Sequence, residues 1–192
     1  DSNIIHVDGK VDPLRDIETI NLELIFADLE VLEKRIIRTE KAMKGDKTLK
    51  DELDILVRIK EGLENGVSAR AIPLTDEEKE KIKDVELLSM KPIIYVANIS
   101  EDMIGGDFEN SEIYKRLSEL AKSEGAELIS ICAQIEAELA ELDGEDKKAF
   151  LADLGIEESG LDALIRASYH LLGYISFLTA GPKEVRAWTI VN

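Results

Sequence analysis

The stretch KPIIYVANISED, residues 91–102, decides how the second half of the chain is read. A run of β-formers, Ile93 to Ala97, closes on Asn98, and a carboxylate follows at Glu101. A short, continuous apolar run of this composition predicts a buried strand. In open α/β sheets, ligands bind outside the carboxyl ends of the strands, so Asn98 falls at a binding edge. An Asn amide carries both a donor and an acceptor, and can grip a base or pin a neighbouring loop. The acid that follows can accept from ring N–H and exocyclic amino groups. Guanine readers use Asn-Lys-x-Asp at this place; here the second residue is Ile99 and the acid is the longer Glu101. The additional methylene moves the carboxylate, and the lysine that would pack over the base is gone. Both changes weaken guanine selection and leave an adenine edge to be read by backbone near Ile99 and Ser100. Taken alone, Asn-x-x-Glu is a weak signal, because an Asn-capped turn gives the same pattern.

Support comes from the next strand. Residues 110–125 predict an amphipathic helix ending on Gly125, and 126–133 a second strand. That strand ends in ISICAQ (129–134), and a helix follows over 134–142. In GTPase-like sheets the corresponding strand ends in a Ser-Ala-Lys type loop whose backbone N–H groups touch the base. Cys132 is near-isosteric with Ser, Ala133 fits, and Gln134 stands where Lys is frequent. Two more helices are expected over 146–156 and 159–173. Strand, helix, strand, helix argues for a parallel sheet with helices on its faces, an α/β fold.

Upstream the pattern differs. Residues 3–7 are β-like, and the turn DGKVDP leads to Pro13, which can open a helix. From Asp16 to Met43 a long helix is predicted, with Ile17, Ile20, Leu24, Ala27 and Val31 on its apolar face and Leu22, Leu29, Leu32 and Ile36 widening it. A second helix is expected from Thr48 to Asn65, with Leu49, Leu53, Leu56 and Leu63 inward and Gly66 as its stop. A short polar loop between them makes this an antiparallel hairpin. Thr75 with Glu78 forms a capping-box pattern for a third, charged helix. The final residues hold two strands around Ala-Gly-Pro. A helical hairpin thus interrupts an α/β unit, and a β-rich element is appended.

Composition narrows the function. The chain has 192 residues, 24 Lys and Arg against 41 Asp and Glu, and a net charge of −17. Such a charge opposes nonspecific nucleic-acid binding, and no dense basic run stands out. One cysteine, Cys132, excludes an internal disulfide framework and fits a reducing compartment. No apolar run approaches the roughly 20 residues of a membrane span, and no signal peptide is visible. The phosphate-cradling motif G-x-x-x-x-G-K-[ST] does not occur, nor does an Asp-containing magnesium loop. Phosphoryl transfer needs that cradle and its metal. Residues 1–192 alone are therefore not expected to hydrolyse a nucleotide. An opening at Asp1 and an end just after a strand read as a piece of something longer.

Other candidates have plainer readings. His6 and His170 lack metal-ligand spacing, and His170 reads as structural. Cys132 has no nucleophile signature and reads as a small buried residue at a strand end. Glu136, Glu138, Glu141 and Asp143 read as a solvated helix face rather than a divalent site. Trp188 reads as core of a further domain, and the hairpin as a partner-binding arm or a spacer.

The sequence resembles the YchF-type subfamily of Obg-like P-loop NTPases. The resemblance rests on residues 3–35, on KPIIYVANISED, on CAQIEAELAELD (132–143) and on FLTAGPKEVRAWTI (177–190). It implies a Ras-like nucleotide domain in two parts, residues 1–19 and 88–174, with its P-loop and switches upstream. It implies an inserted coiled-coil-like helical domain at 20–87 and the start of a β-grasp TGS domain at 175–192. ATP or GTP would be bound, ATP being favoured by the altered motif, with Asn98, Ile99, Glu101, Cys132, Ala133 and Gln134 around the base. Mg²⁺ would be held by upstream residues. Such proteins are cytoplasmic, associate with ribosomes, and are linked to translation and stress responses. The rival expectation is a nucleotide-independent helical module that docks on the ribosome or a protein.

Overall fold

The computed structural model describes residues 11–104, 106 and 108–191. The strand expected at 3–7, with His6, lies outside them. The described residues up to Pro92 form one compact unit, and those from Ile93 onward form another.

The first unit is helical. Helix α1, Pro13–Met43, starts where Asp12 accepts a hydrogen bond from the Arg15 N–H at 3.4 Å, and proline occupies the first turn. Pro is suited to that position because its missing N–H has no intrahelical partner there. After Lys44–Asp46 a single 3₁₀ turn, Lys47–Leu49, leads into α2, Lys50–Glu64. The Asp46 carboxylate accepts from the Thr48 N–H at 2.9 Å and from its hydroxyl at 2.6 Å, which fixes the reversal. Arg35 of α1 then meets Glu52 of α2 at 2.7 Å and Asp84 at 3.0 Å.

Ile25 and Leu32 pack with Ile55, Leu56, Ile59 and Leu63, and the core is closed by Ala69, Ile82, Val85 and Leu87. The apolar stripe expected on α1 is therefore rotated. Ile20, Leu22 and Val31 are exposed, while Ile25, Asp28, Leu32 and Thr39 are buried. On α2, Ile55 and Ile59 join Leu56 and Leu63, whereas Leu49 and Leu53 are only half-buried.

The reason for the rotation is polar. Asp28 is 1% exposed and accepts from the backbone N–H groups of Leu88 and Ser89, each at 2.7 Å. The buried Ser89 hydroxyl oxygen in turn accepts from the Ala69 N–H at 3.1 Å. A carboxylate survives burial when its lone pairs are taken in this way. The expected capping box is present. Thr75 N–H donates to Glu78 Oε2 at 2.9 Å, and Glu78 N–H to Thr75 Oγ1 at 3.2 Å. The helix that it starts, α3, is short, Asp76–Lys81.

The second unit opens with β1, Ile94–Asn98, and β2, Glu127–Ile131, paired in parallel with Asn98 opposite Ile131. Helix α4, Glu112–Ser123, joins them; the Ser111 hydroxyl caps it, and Gly125 ends it at φ +65°. Positive φ is what a glycine at that place allows. Then follow α5, Ala133–Leu139, α6, Gly144–Asp153, and α7, Gly160–Leu171. Strands β3, Tyr174–Ala180, and β4, Val185–Val191, form an antiparallel hairpin exposed on both faces. Trp188, expected in the core of a further domain, is 46% exposed among the described residues, and its indole N–H donates to Thr179 Oγ1 at 2.8 Å. Among the described residues no helix is long and apolar enough to cross a membrane.

Removing the Asp28 carboxylate strands two backbone N–H groups. Asp28→Ala is expected to destabilise the helical unit by about 3 kcal/mol, an unsatisfied buried donor costing roughly 1–3 kcal/mol. Urea unfolding monitored by circular dichroism reads the loss.

Candidate functional site

The parallel register brings the carboxyl ends of β1 and β2 level with each other. Ile99 N–H donates to the Ile131 carbonyl at 2.8 Å, carrying the ladder one residue beyond β1. Immediately past it, the Asn98 side-chain oxygen accepts from the Ala133 N–H at 3.3 Å. The first loop is thereby tied to the start of α5. With its oxygen engaged on protein, the Asn98 amide keeps its NH₂ group for a ligand.

An open cleft of about 810 Å³ lies over this junction. Its first wall is the 98–102 loop, where Glu101 opens a 3₁₀ turn, Glu101–Met103. Its second wall is Cys132, Ala133 and Gln134. The six residues singled out in the sequence thus share one cleft. A third wall, Asp153 and Leu154 at the end of α6, was not singled out. Its one sequence signal is Gly155, which marks a helix stop but says nothing about which cleft that stop borders. Glu101, Asp102 and Asp153 contribute carboxylates, while among the described residues no Lys or Arg lines the cleft. Carboxylates accept hydrogen bonds and repel phosphate, so the cleft suits the donor-bearing end of a ligand.

Cys132 is buried and packs with Ile135, Leu139 and Leu151, as a small apolar residue would. It also lines a smaller cavity of about 160 Å³ beside the cleft.

The four acids between 136 and 143 separate. Glu138, Glu141 and Asp143 are exposed. Glu136 is not part of a solvated face: its Oε1 accepts from the Gly160 N–H at 2.6 Å and holds the start of α7. The N-terminus of a helix offers unpaired N–H groups and a positive partial charge, which is why a carboxylate settles there. Gly160 is needed at this contact, since a Cβ would lie 2.8 Å from Ile131 Cγ1. One residue before it, the Ser159 hydroxyl accepts from the Asp162 N–H at 3.1 Å and donates to the Asp162 carboxylate at 2.8 Å. That hydroxyl, and then Lys147, hold the Asp162 carboxyl below its ordinary value. The resulting stabilisation is present above the ordinary carboxylate range and is lost as pH falls through the depressed value.

His170 lies away from the cleft. Its ring is largely exposed, with Nδ1 2.7 Å from Glu127 Oε1. Among the described residues, no group of three or more His, Cys, Asp or Glu side chains could hold a metal ion.

A cleft at the carboxyl ends of parallel strands, with an Asn-x-x-acid loop facing a Cys-Ala-Gln loop, lies where open α/β domains bind their ligands. The comparisons agree with this class. The chain is 53% identical over 190 residues to the ribosome-binding ATPase YchF of Bacillus subtilis, covering 98% of the chain and 52% of that relative. It is 47% identical over 189 residues to the ribosome-binding ATPase YchF of Escherichia coli O157:H7, with 98% and 51% coverage. In fold it matches the YchF GTPase of Schizosaccharomyces pombe with a TM-score of 0.84 at 31% identity, over 99% of this chain and 52% of that one. No family model matches. The chain spans about half the length of the curated relatives that it matches. Over that stretch, its sequence and fold are similar to those of YchF proteins.

Gly160→Ala would set a Cβ 2.8 Å from Ile131 Cγ1 and 3.1 Å from Glu136 Oε1. The substitution is expected to lower stability by about 1–3 kcal/mol, the usual range for overpacking. Equilibrium unfolding in urea measures it.

Proposed function

We propose that this chain supplies the base-reading half of an ATP- or GTP-binding P-loop hydrolase of the YchF type. The observation that carries the proposal is the Asn98–Ala133 hydrogen bond, which joins two base-facing loops around one cleft. In this reading the Asn98 NH₂ donates to a ring nitrogen. Backbone at Ile99 and Ala133 meets the base edge, and the Glu101 carboxylate accepts from an amino or ring N–H. Cys132 and Gln134 shape the wall beside them. Ile99 in place of lysine, and Glu101 in place of aspartate, favour ATP over GTP.

Phosphates are excluded from the acid-lined cleft. They and Mg²⁺ would be held by residues upstream of this chain, and hydrolysis would depend on those residues. When bound, Mg²⁺ would neutralise charge developing on the transferred phosphoryl group. Residues 1–19 and 88–174 belong, on this account, to one nucleotide domain. Residues 20–87 are a helical arm inserted in it, and 175–192 begin a TGS domain. Ribosomes are the proposed partner, through the arm and the TGS domain, in the cytoplasm and in the service of translation or stress responses. The similarity to the ribosome-binding ATPases of B. subtilis and E. coli supports this reading.

Two variants of the intact protein test it. Asn98→Ala is expected to weaken nucleotide binding about tenfold, the loss of roughly one hydrogen bond. Ile99→Lys combined with Glu101→Asp is expected to move the ATP/GTP preference toward GTP by about tenfold in a competition titration. Unchanged selectivity in that double variant contradicts the assigned roles.

A second reading is favoured by one observation: the helical unit has its own core. It would act as a docking module that needs no nucleotide. Deleting residues 20–87 from the intact protein separates the two. Partner binding is expected to be lost while nucleotide binding stays; the reverse pattern contradicts a docking role for the arm.

A further inference from the structure

Strand β2 has an edge turned away from β1. The bond from the Ile99 N–H to the Ile131 carbonyl directs the Ile131 backbone toward β1. Backbone direction alternates along a strand, so Glu127 and Ile129 face β1 as well. Leu128 and Ser130 then present their N–H and C=O groups on the far side. Among the described residues β2 pairs with β1 alone, and no residue outside the sheet is hydrogen-bonded to the Leu128 or Ser130 backbone. Exposed edges are commonly blunted by a proline, a bulge or a covering segment. β2 holds no proline, and its register with β1 runs through five successive pairs without a bulge.

An open groove of about 600 Å³ follows this edge. Residues 127–130 line it, and no residue of β1 does. Successive side chains of a strand point to opposite faces, so a groove touching four in a row straddles the edge and does not lie on one face. Tyr114 of α4 and Ala163 and Ala167 of α7 border it. Its charged and titratable groups include Glu109, Glu127, Glu158, Arg166 and His170. Arg166 is held by both oxygens of Glu158. Glu127 is hydrogen-bonded to His170, while Glu109 has no Lys or Arg partner among the described residues. With His neutral, three carboxylates stand against one guanidinium, a net charge of −2. Burial, and then Glu109, raises the Tyr114 phenol pKa, which sets that carboxylate beside the same groove.

We propose that the far edge of β2 is a docking site for an extended segment of a partner protein that carries basic side chains. The row of backbone groups at Leu128 and Ser130 calls for an extended chain, which adds as a further strand through main-chain hydrogen bonds. A helix could not pair there, because its own backbone groups are bonded internally. The charge of the groove selects among extended chains. Glu109 and Glu127 attract lysine or arginine on the incoming strand and disfavour acids. A second copy of β2 fits poorly, since it would bring two acidic grooves together. The groove shares no lining residue with the cleft at Asn98, so the inference does not rest on the nucleotide reading.

The test uses the intact protein and a short fluorescein-labelled peptide alternating valine with lysine, titrated by anisotropy. Two further peptides separate the terms: one alternates valine with glutamate, and one is the lysine peptide N-methylated at alternate residues, which keeps its charge and loses donors for pairing. The lysine peptide is expected to bind roughly tenfold more tightly than either, and to slow hydrogen exchange at the Leu128 and Ser130 amides. Proline is tolerated on an edge strand where its missing N–H would face outward, so Leu128→Pro leaves the pairing with β1 and blocks the far side. That variant is expected to lose about tenfold in affinity for the lysine peptide, with nucleotide affinity unchanged. No binding of the lysine peptide, or equal binding of its N-methylated form, overturns the proposal. So does exchange at Leu128 and Ser130 that the peptide leaves unaltered. A protein that is dimeric in solution and becomes monomeric on Leu128→Pro also overturns it, the edge then belonging to a second copy. Should Leu128→Pro unfold, Glu109→Lys combined with Glu127→Lys is expected to reverse the preference toward the glutamate peptide; an unchanged preference contradicts the charge selection.

Discussion

The site depends on one register. Parallel pairing sets Asn98 opposite Ile131, so the strands stop at the same level and their following loops face each other. A slip of one residue would turn the Asn98 side chain to the other face of the sheet. The Ile99 N–H to Ile131 carbonyl bond prolongs the pairing, and the Asn98–Ala133 bond then converts two loops into one wall. Behind that wall, Ile131 leaves no space for a side chain at position 160, and Glu136 holds the Gly160 N–H. The cleft is thus backed by covalently distant parts of the chain, α5 and the start of α7, through contacts that a shift in β2 would break.

The helical unit follows a similar logic with different chemistry. A single buried carboxylate, Asp28, gathers the N–H groups of Leu88 and Ser89, and Ser89 gathers that of Ala69. Three segments far apart in sequence, α1, Ala69 and Leu88–Ser89, are joined through these bonds. The direction in which α1 faces its core is set as much by Asp28 as by its leucines and isoleucines. The C-terminal end of α1 and the reversal after it carry bases with no salt bridge to any described residue, so a strongly acidic chain still presents a localised positive surface.

Much of this was legible in the sequence because local patterns and the fold agree. The alternation after Lys91 predicts the parallel pair, Gly125 predicts the end of α4, and Thr75 with Glu78 predicts a capping box whose two bonds are present. The Asn98 and Cys132–Gln134 motifs could be placed at strand ends because strands have a direction. What escaped were interactions between residues distant in sequence. Asp28 reads as a polar interruption of an apolar stripe, and only the Leu88–Ser89 segment gives it a buried role. Glu136 reads as one of several solvated acids until Gly160 is folded against it. Asp153 reaches the cleft through the tertiary position of α6, for which no local signal exists. The basic charges from Arg35 to Lys50 recur every third residue, diluted among neutral ones, and so form no block in the sequence.

The most direct measurement of the central account is an ¹⁵N–¹H correlation spectrum of the intact protein titrated with ATP and magnesium. The account predicts that the Ala133 backbone amide and the Asn98 side-chain NH₂ shift together, saturating at the same nucleotide concentration, as the base enters between the two loops. Saturable ATP binding that leaves both resonances in place would contradict it and would put the base elsewhere.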